Sequence, residues 1–358
     1  MESDIKKICI FNGNMSRGGG TEKISAVLGN LLAENTGWAI YIVSLNNETN
    51  QSFFPLSSRV RHISLRSKGI PKKIFELRKF LKKEKIRVIV DVDIMLAVYS
   101  IPATFFTKTK IVSWEMFNIR NDIGSRHTGT VRKLCLRYSA YYVTQTKGDM
   151  QAFQNEMPVK CLLTFVHNPC EKPDVQPQYD LTSKTLMTAG HFFFTKGYDL
   201  AIEAARFVFD RHPDWRWNFY GDGPECEKCK EKVKEYALEN NVIFCGRKKN
   251  ITDEYKKASI YVMTSRTEGF GLVLTEAKAQ SLPTVAFDCE FGPREIIEDN
   301  VSGYLVPAFD VSQMADKICF LIETENKRAL FARHAGDNLN KFSAESFLRK
   351  WIDILSVC

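Results

Sequence analysis

The most constraining stretch of the sequence lies within residues 260–287, where two apolar segments flank a glycine loop and a helical segment. The first apolar segment, Ile260–Met263, is rich in strand-forming residues and stops at Thr264 and Ser265. Residues 272–280 then have a helical pattern, which Pro283 ends, and residues 284–287 are again apolar. A strand, loop, helix and strand in this order predict a parallel sheet with a ligand crevice at the strand ends.

The loop and the helix start carry groups that suit an anionic, hydroxylated ligand. Free N–H groups at a helix N-terminus favour a diphosphate, because the helix dipole is positive there. Glu268 lies in the loop, and Glu276 lies about one turn into the helix, where its carboxylate can accept hydrogen bonds from a diol such as ribose. Two solvated surface glutamates are the alternative, but the glycine-flanked loop favours a ligand site.

The chain of 358 residues is long enough for two domains, and no apolar stretch approaches the ~20 residues that span a bilayer. Its start, MESDIKK, lacks the pattern of a secretory signal.

Ten scattered cysteines indicate a reduced, cytosolic protein rather than a disulfide framework. Cys226 and Cys229 have no second pair at zinc-ribbon spacing, so we interpret them as structural.

Charge is distributed unevenly between the two halves. Residues 1–170 carry a net charge of +12 and residues 171–358 a net charge of −4. A basic half predicts an anionic partner, namely a membrane surface, a lipid phosphate or a nucleic acid. Residues 71–85 predict an amphipathic helix with a lysine-rich face, and 71–87 is therefore a candidate membrane-binding surface; a solvated basic face is the alternative. Basic residues without interleaved exposed aromatics argue against nucleic acid.

Both halves begin with a strand and a loop that contains glycine. Lys7–Phe11 predicts a strand, followed by a glycine loop and a helix from Thr21 to Ala33, but the dinucleotide pattern G-x-G-x-x-G is absent. Pro169, Pro173 and Pro177 lie in a polar run that predicts a linker and a domain boundary. The second half starts again with a strand at 185–188 and a loop that reaches Gly197.

The run E-G-F-G-L-V-L-T-E at 268–276 resembles the E-x7-E motif of the retaining nucleotide-sugar glycosyltransferases of family 4. The resemblance covers nearly all of residues 7–355 and is strongest over 185–307. It implies an α/β protein of the GT-B fold, with two Rossmann-like domains facing a central cleft. The implied domains are an acceptor-binding domain at 1–170, a nucleotide-sugar-binding domain at 171–340, and a C-terminal helix at 341–358 that packs back on the first domain.

The resemblance also assigns roles to loop residues. Gly19, Gly20 and Glu22 match a G-G-x-E element, in which the backbone approaches the donor phosphate or the acceptor. Lys196 matches the lysine of a G-R-x-x-x-x-K-G element that holds the donor diphosphate, but His191 replaces the arginine. A neutral imidazole is a weaker phosphate ligand than a guanidinium, so Arg266 or Arg294 is a candidate for the second cation.

Many family members have a histidine near the acceptor where this chain has Met116, so no general base is evident. Glu115 is the nearest titratable candidate, and a carboxylate that merely makes hydrogen bonds at a strand end is the alternative. The catalytic candidates are therefore Glu268, Lys196 and Glu115. No metal site is expected, and the residues implied in donor binding are Gly19, Gly20, His191, Lys196, Gly221, Gly246, Arg247, Glu268, Gly269, Phe270, Gly271, Leu272 and Glu276.

The expected function is retaining transfer of a hexose or N-acetylhexosamine from a nucleoside diphosphate sugar, without a metal or other cofactor. UDP is favoured because residues 290–295 look like those of UDP-sugar enzymes. The expected acceptor is a glycan or a lipid-linked glycan precursor at the cytoplasmic face of the membrane, in the synthesis of surface polysaccharide. Two alternatives stay open: a nucleotide-sugar epimerase of the same fold, and a non-catalytic basic binding protein. The sequence does not decide the sugar, the linkage or the acceptor.

Overall fold

The computed structural model describes residues 5–46, 51–121, 125–171, 173, 175, 177–248 and 250–358. The chain divides into two units, of which the first comprises Met1–Asn168 with Ala344–Cys358 and the second comprises Pro169–Ser343. Part of the proline-containing run that the sequence predicts as a linker, at Lys172, Asp174 and Gln176, lies outside the described residues.

The first unit is a parallel sheet of seven strands in the order β3-β2-β1-β4-β5-β6-β7. The strands are β1 (Lys7–Asn12), β2 (Ala39–Ser44), β3 (Val60–Ser64), β4 (Val88–Val92), β5 (Lys110–Trp114), β6 (Tyr141–Thr144) and β7 (Leu162–Phe165). The helices between them are α1 (Gly20–Asn35), α2 (Ile70–Lys83), α3 (Ala97–Thr104), α4 (Thr128–Tyr138) and α5 (Lys147–Glu156), with a 3₁₀ turn at Ile94–Leu96. Because the strand order reverses between β1 and β4, a crevice opens at their carboxyl ends.

Both faces of this sheet are covered, as its Val- and Ile-rich strands require. Ile8 and Ile10 of β1 pack on one face, in the same apolar cluster as Leu28 of α1. Cys9 and Phe11 point to the other face, where the cluster includes residues of α2, α3 and α4. The sequence pattern predicts α2 within two residues at each end, whereas β3, α3 and α4 were not predicted.

The second unit is a parallel sheet of six strands in the order β10-β9-β8-β11-β12-β13. Its strands are β8 (Thr185–Ala189), β9 (Arg216–Tyr220), β10 (Val242–Gly246), β11 (Ile260–Met263), β12 (Thr284–Asp288) and β13 (Gly303–Pro307). Its helices are α6 (Tyr198–Arg211), α7 (Cys226–Glu235), α8 (Thr252–Tyr255), α9 (Leu272–Ala279), α10 (Pro293–Ile296), α11 (Val311–Glu323) and α12 (Glu325–His334), with 3₁₀ turns at Phe194–Lys196 and Leu339–Phe342. The strand order reverses between β8 and β11, so the crevice of this unit lies where the sequence predicts the ligand site.

The last helix, α13 (Ala344–Val357), returns to the first unit. Its Trp351 is fully buried against Trp114 of β5, with ring centroids 4.6 Å apart. Phe347 lies beside the same tryptophan pair and belongs to the cluster that includes Leu28 of α1. Residues from both ends of the chain therefore form one core.

Candidate functional site

The candidate donor site of the second unit is formed by the loops that follow β8 and β11. The first loop runs from Gly190 to Gly197, and the second runs from Thr264 to Gly271, immediately before α9. Adjacent parallel strands that lead to helices on opposite faces leave the space between these loops open. The site therefore follows from the strand order.

Two glycines allow the loops to take this shape. Gly271 precedes α9 with φ +97°, which is unfavourable for a side chain, and so leaves the helix N-terminus facing the crevice. At Gly221, after β9, a Cβ atom would lie 1.8 Å from the carbonyl oxygen of Gly190. Any larger residue there would push apart the β8 and β9 loops.

An ion pair joins the two loops at the centre of the site. The Nζ of Lys196 donates to both carboxylate oxygens of Glu268, at 2.7 and 2.8 Å. The hydroxyl of Ser265 donates to the same carboxylate at 2.7 Å. Glu268 is only 6% exposed, whereas the side chain of Lys196 is 31% exposed. The carboxylate is therefore fixed by two donors, while its cationic partner remains within reach of a ligand.

A cavity of about 30 Å³ lies beside this pair, bounded by Tyr261, Thr264 and Val273 among others. Such a volume holds about one water molecule or one ligand hydroxyl. The thiol of Cys289 is also near, and burial raises its pKa to about 12, with a further contribution from the charge of Glu268. That thiol is therefore kept in its neutral form beside the ion pair.

Other residues predicted to bind the donor surround the same crevice. Glu276 lies in the middle of α9 and accepts a hydrogen bond from the buried hydroxyl of Tyr255 at 3.2 Å. His191 is exposed, with Nδ1 3.3 Å from the carbonyl oxygen of Asp222, and Arg247 lies 3.8 Å from the Asp222 carboxylate. Phe270 instead packs in the core, so that only its backbone can face a ligand. Of the remaining predicted residues, Gly221 and Gly246 lie at the ends of β9 and β10. Gly269 and Gly271 lie in the loop before α9, and Leu272 is the first residue of that helix.

The two arginines considered as the second cation differ in how tightly they are held. Arg266 forms two 2.7 Å hydrogen bonds with Asp199, and its guanidinium lies 4.0 Å from the ring centre of Phe194. Arg294 pairs with Asp288, but its side chain is 72% exposed. Arg294 is therefore the more easily displaced of the two.

In the first unit, the glycine loop after β1 leads directly into α1. Gly19 precedes the helix, Gly20 is its first residue, and the Glu22 carboxylate is buried and accepts from the hydroxyl of Thr21 at 2.9 Å. A Cβ atom at Gly19 would lie 2.5 Å from that carboxylate. A side chain at Gly19 would therefore have to displace the Glu22 carboxylate from its present position.

The structure contradicts the prediction that Glu115 is a candidate base. Glu115 is fully buried, and its Oε2 accepts from Nε of Arg132 at 2.9 Å and from the hydroxyl of Tyr142 at 2.8 Å. Its Oε1 accepts from the backbone N–H of Phe117. The Glu115 carboxylate is enclosed by three donors and shielded from solvent, which indicates a structural role.

Sequence reasoning missed Asp93, which follows β4 at the crevice of the first unit. Its φ of +103° is rare for a residue with a side chain. Its Oδ1 accepts from the backbone N–H of Met95. Burial raises the pKa of Asp93 to about 6, and the nearby charges of Glu115 and Glu22 add to the rise. The carboxylates in the segment V-D-V-D are visible in the sequence, but the strained backbone is not.

Within the described residues, no group of three His, Cys, Asp or Glu side chains is arranged to hold a metal ion. Metal-independent donor binding remains a prediction. None of the helices in the described part of the chain is both long and apolar enough to cross a membrane.

Comparison with known proteins identifies families and proteins that this chain resembles. Residues 171–337 match the family model of the group 1 glycosyl transferases. A glycosyltransferase of Haemophilus influenzae, otherwise uncharacterized, is 26% identical over 98% of this chain and 100% of its own length. The amylovoran biosynthesis glycosyltransferase AmsD of Erwinia amylovora is 26% identical over 98% of this chain and 99% of its own.

Among solved structures, HepE of Anabaena in complex with UDP and glucose superposes with a TM-score of 0.82. It is 17% identical and covers 98% of this chain and 99% of its own. The likeness establishes a shared fold, and the sequence-based prediction of an α/β protein with two Rossmann-like units of the GT-B type is confirmed.

Proposed function

We propose that this GT-B glycosyltransferase is a retaining enzyme that moves a hexose or N-acetylhexosamine from a nucleoside diphosphate sugar to a glycan or lipid-linked acceptor. The observation that carries the proposal is the Lys196–Glu268 pair at the crevice between β8 and β11, directly before the N-terminus of α9. It offers one accessible cation, one fixed carboxylate and free helix N–H groups within a single short region.

Donor binding follows from the charges in this region. A diphosphate at the start of α9 gains from the helix dipole and competes with Glu268 for the ammonium of Lys196. Glu268 is also bonded by Ser265, so it stays in place and accepts a hydrogen bond from a sugar hydroxyl. Glu276, farther along α9, is placed to accept from the ribose hydroxyls.

The reaction needs the negative charge of the leaving diphosphate to be stabilised as the anomeric carbon–oxygen bond breaks. Lys196 and the α9 N–H groups supply that stabilisation as preorganised donors. With Glu115 buried in an ion pair, we infer attack from the same face of the sugar. The acceptor oxygen bonds to the anomeric carbon, and its proton passes to the departing phosphate oxygen. A covalent sugar trapped on Glu268 would contradict this step.

Two relatives support the choice of donor and pathway. HepE was solved with UDP and glucose, which favours UDP over GDP as the nucleotide. AmsD is named for amylovoran biosynthesis, which favours surface polysaccharide as the product. We assign donor binding mainly to the second unit and acceptor binding to the first.

The acceptor side is proposed to work at a membrane. Helix α2 has six basic residues and one acidic residue, and a basic amphipathic helix binds anionic bilayers at roughly 1 kcal/mol for each basic residue near the surface. A lipid-linked acceptor would then be met at the cytoplasmic face by a peripherally bound enzyme.

Calorimetric titration with UDP, GDP and NAD, with and without magnesium, tests the donor site. We expect UDP to bind without magnesium and Glu276→Ala to weaken the affinity about tenfold, since a hydrogen bond to a charged group is lost. Glu239→Ala, at an exposed position after α7, is the matched control and should bind as the unchanged protein does. Binding of NAD alone, or of no nucleotide, would contradict the proposed function.

A further inference from the structure

The most exposed large apolar side chain among the described residues is Phe106, in the loop between α3 and β5. It is 99% exposed, and its φ of +58° is unfavourable for an aromatic residue. Exposure of the ring and backbone strain both oppose folding. The ring of Phe106 contacts that of Phe105, with centroids 6.3 Å apart, but this contact leaves Phe106 99% exposed. A contact that covers so little of the ring points to a partner outside the chain.

Phe106 belongs to a larger apolar surface at the amino edge of the first sheet. Phe105 is 47% exposed and its ring meets that of Tyr138, at the end of α4, edge to face with centroids 6.0 Å apart. We call Phe105, Phe106 and Tyr138 the aromatic edge. A cavity of about 280 Å³ lies behind it and is also lined by Lys110.

A basic surface adjoins the aromatic edge. Arg78 of α2 donates to the carbonyl oxygens of Ala103 and Phe105, which ties α2 to the loop. The guanidinium of Arg137 lies 5.5 Å from the ring centre of Tyr138, and Lys108 is exposed two residues after Phe106. The segments 97–110 and 128–138 contain no acidic residue.

The outward face of α2 continues this surface. Lys72, Phe75, Lys79 and Lys82 recur at helical spacing and all are exposed, so that a phenylalanine lies among lysines. The expectation from the sequence that the basic residues have no interleaved exposed aromatic is therefore wrong on this helix. The only acidic residue of the helix, Glu76, accepts from the backbone N–H groups of Arg66 and Ser67. The helix therefore presents cations and one aromatic ring outward.

We propose that the aromatic edge and the outward face of α2 dock the protein on an anionic bilayer, with Phe106 inserted among the lipids. The proposal rests on the membrane-bound acceptor of the proposed function and adds the aromatic edge to Phe75 as an apolar anchor beside the basic helix. Aromatic rings flanked by Lys and Arg match the interface between lipid headgroups and acyl chains. The concentration of positive charge disfavours a second copy of this chain, because like charges would meet.

Co-sedimentation with vesicles tests the anchor. Vesicles of pure phosphatidylcholine are compared with vesicles that also contain phosphatidylglycerol. We expect binding only to the anionic vesicles, weakened by added salt. Phe106→Asn removes the ring and suits the positive φ, so it should fold at least as well as the unchanged protein. It should lower the partition coefficient about tenfold, as expected for losing one buried aromatic side chain.

Two controls match these changes. Phe207→Asn removes a ring that is 51% exposed on α6 of the second unit and should leave vesicle binding unchanged. Lys79→Glu on α2 should weaken binding at least about fivefold, whereas Lys234→Glu on α7 should not.

Equal vesicle binding by Phe106→Asn and the unchanged protein would overturn the proposal, as would equal binding to neutral and anionic vesicles. Self-association that Phe106→Asn abolishes would assign the surface to a second copy instead. UDP titration on the same samples separates the two proposals. Protein that binds UDP but no vesicles refutes only the docking surface, whereas protein that binds neither nucleotide nor vesicles refutes the proposed function as well.

Discussion

Each unit has a glutamate beyond the end of a strand and pairs it with a cation, yet the two pairs have opposite characters. Glu268 lies in the loop between β11 and α9 and meets a lysine whose side chain is 31% exposed. Glu115 follows β5 directly and meets Arg132, whose side chain is 6% exposed, together with the hydroxyl of Tyr142. The first pair is open to exchange with a ligand and the second is not.

The difference teaches how solvent access separates a reactive pair from a structural one. A lysine at the edge of a crevice can exchange its carboxylate partner for a phosphate. Water solvates the carboxylate and the phosphate neutralises the ammonium when the ion pair separates. Arg132 also donates to the carbonyl oxygens of Asn118, Ile119 and Asn121, so that its release would leave several buried acceptors without donors. The following predictions test this contrast.

The largest effect is expected from Arg132→Met. Removing one partner of a buried ion pair leaves the charge of Glu115 uncompensated, which costs about 3–5 kcal/mol in the free energy of unfolding. Chemical denaturation followed by circular dichroism measures the loss. Arg137→Met, at an exposed position of the same helix, is the control and should change stability little. If Arg132→Met lowers the free energy of unfolding by less than about 1 kcal/mol, the Glu115–Arg132 pair does not differ from an exposed ion pair.

Next in size is the loss of activity in Lys196→Met. Without the ammonium, the leaving diphosphate loses a preorganised charge, and we expect kcat/KM to fall about 10²–10³-fold, roughly 2.7–4 kcal/mol. Its stability should fall less than that of Arg132→Met, because water reaches this pair. Steady-state kinetics and denaturation on the same sample measure both effects, with Lys234→Met as the control. If Lys196→Met keeps its activity but has a much lower free energy of unfolding, the Lys196–Glu268 pair is structural, like the Arg132–Glu115 pair.

The pH dependence of stability also distinguishes the two units, with an effect that is smaller for each pH unit. Burial raises the pKa of Asp91 in β4 to about 8, and burial lowers the pKa of Lys278 in α9 to about 8. Folded Asp91 holds its proton above the pH at which the unfolded chain loses it, so its contribution to stability falls from about pH 4 to pH 8. Folded Lys278 loses its proton first, so its contribution rises from about pH 8 to pH 10.5.

Each slope is at most about 1.4 kcal/mol per pH unit, the value for one proton. Asp91→Asn should flatten the falling arm of the stability curve, and Lys278→Met should flatten the rising arm. Urea denaturation across the pH range measures both. If Lys278→Met changes stability only between about pH 4 and pH 8, the rising arm does not come from Lys278 and this assignment is wrong.

The smallest effect is expected from Arg294→Ala. Its pair with Asp288 is exposed on the arginine side, so stability should change by less than about 1 kcal/mol. If this arginine replaces the missing cation at His191, UDP affinity should still fall severalfold. Arg266→Ala is the comparison, and should cost more stability because Arg266 forms two hydrogen bonds with Asp199 and stacks on Phe194. Unchanged affinity in both variants would leave Lys196 as the main cation for the diphosphate.

The sequence signal for the second unit's candidate site is local. One strand, one glycine loop and one helix within 260–287 place Glu268 and Glu276, and the strand order follows from parallel α/β topology. Glu115 was misjudged because its partners come from elsewhere: Arg132 lies on α4, which the sequence did not predict, and Tyr142 lies on β6. Local patterns show that a carboxylate ends a strand but not what covers it.

Other features depend on backbone geometry or tertiary packing that no pattern reveals. The positive φ angles of Asp93 and Phe106 belong to ordinary-looking residues in a strand end and a loop. Helix α3 contains Pro102, which argues against a helix in any window-based prediction. Lys278 of α9 is buried and its ammonium donates to the hydroxyl of Ser302, a contact that depends on the loop before β13.

The packing of α13 on the first unit has a consequence for synthesis on the ribosome. Trp351 packs in a core with Trp114, which is made more than two hundred residues earlier. During translation the second unit can close its own core while the first still lacks this tryptophan. The unit that is made first is therefore the last to finish folding, and until α13 is made its sheet keeps an apolar face uncovered.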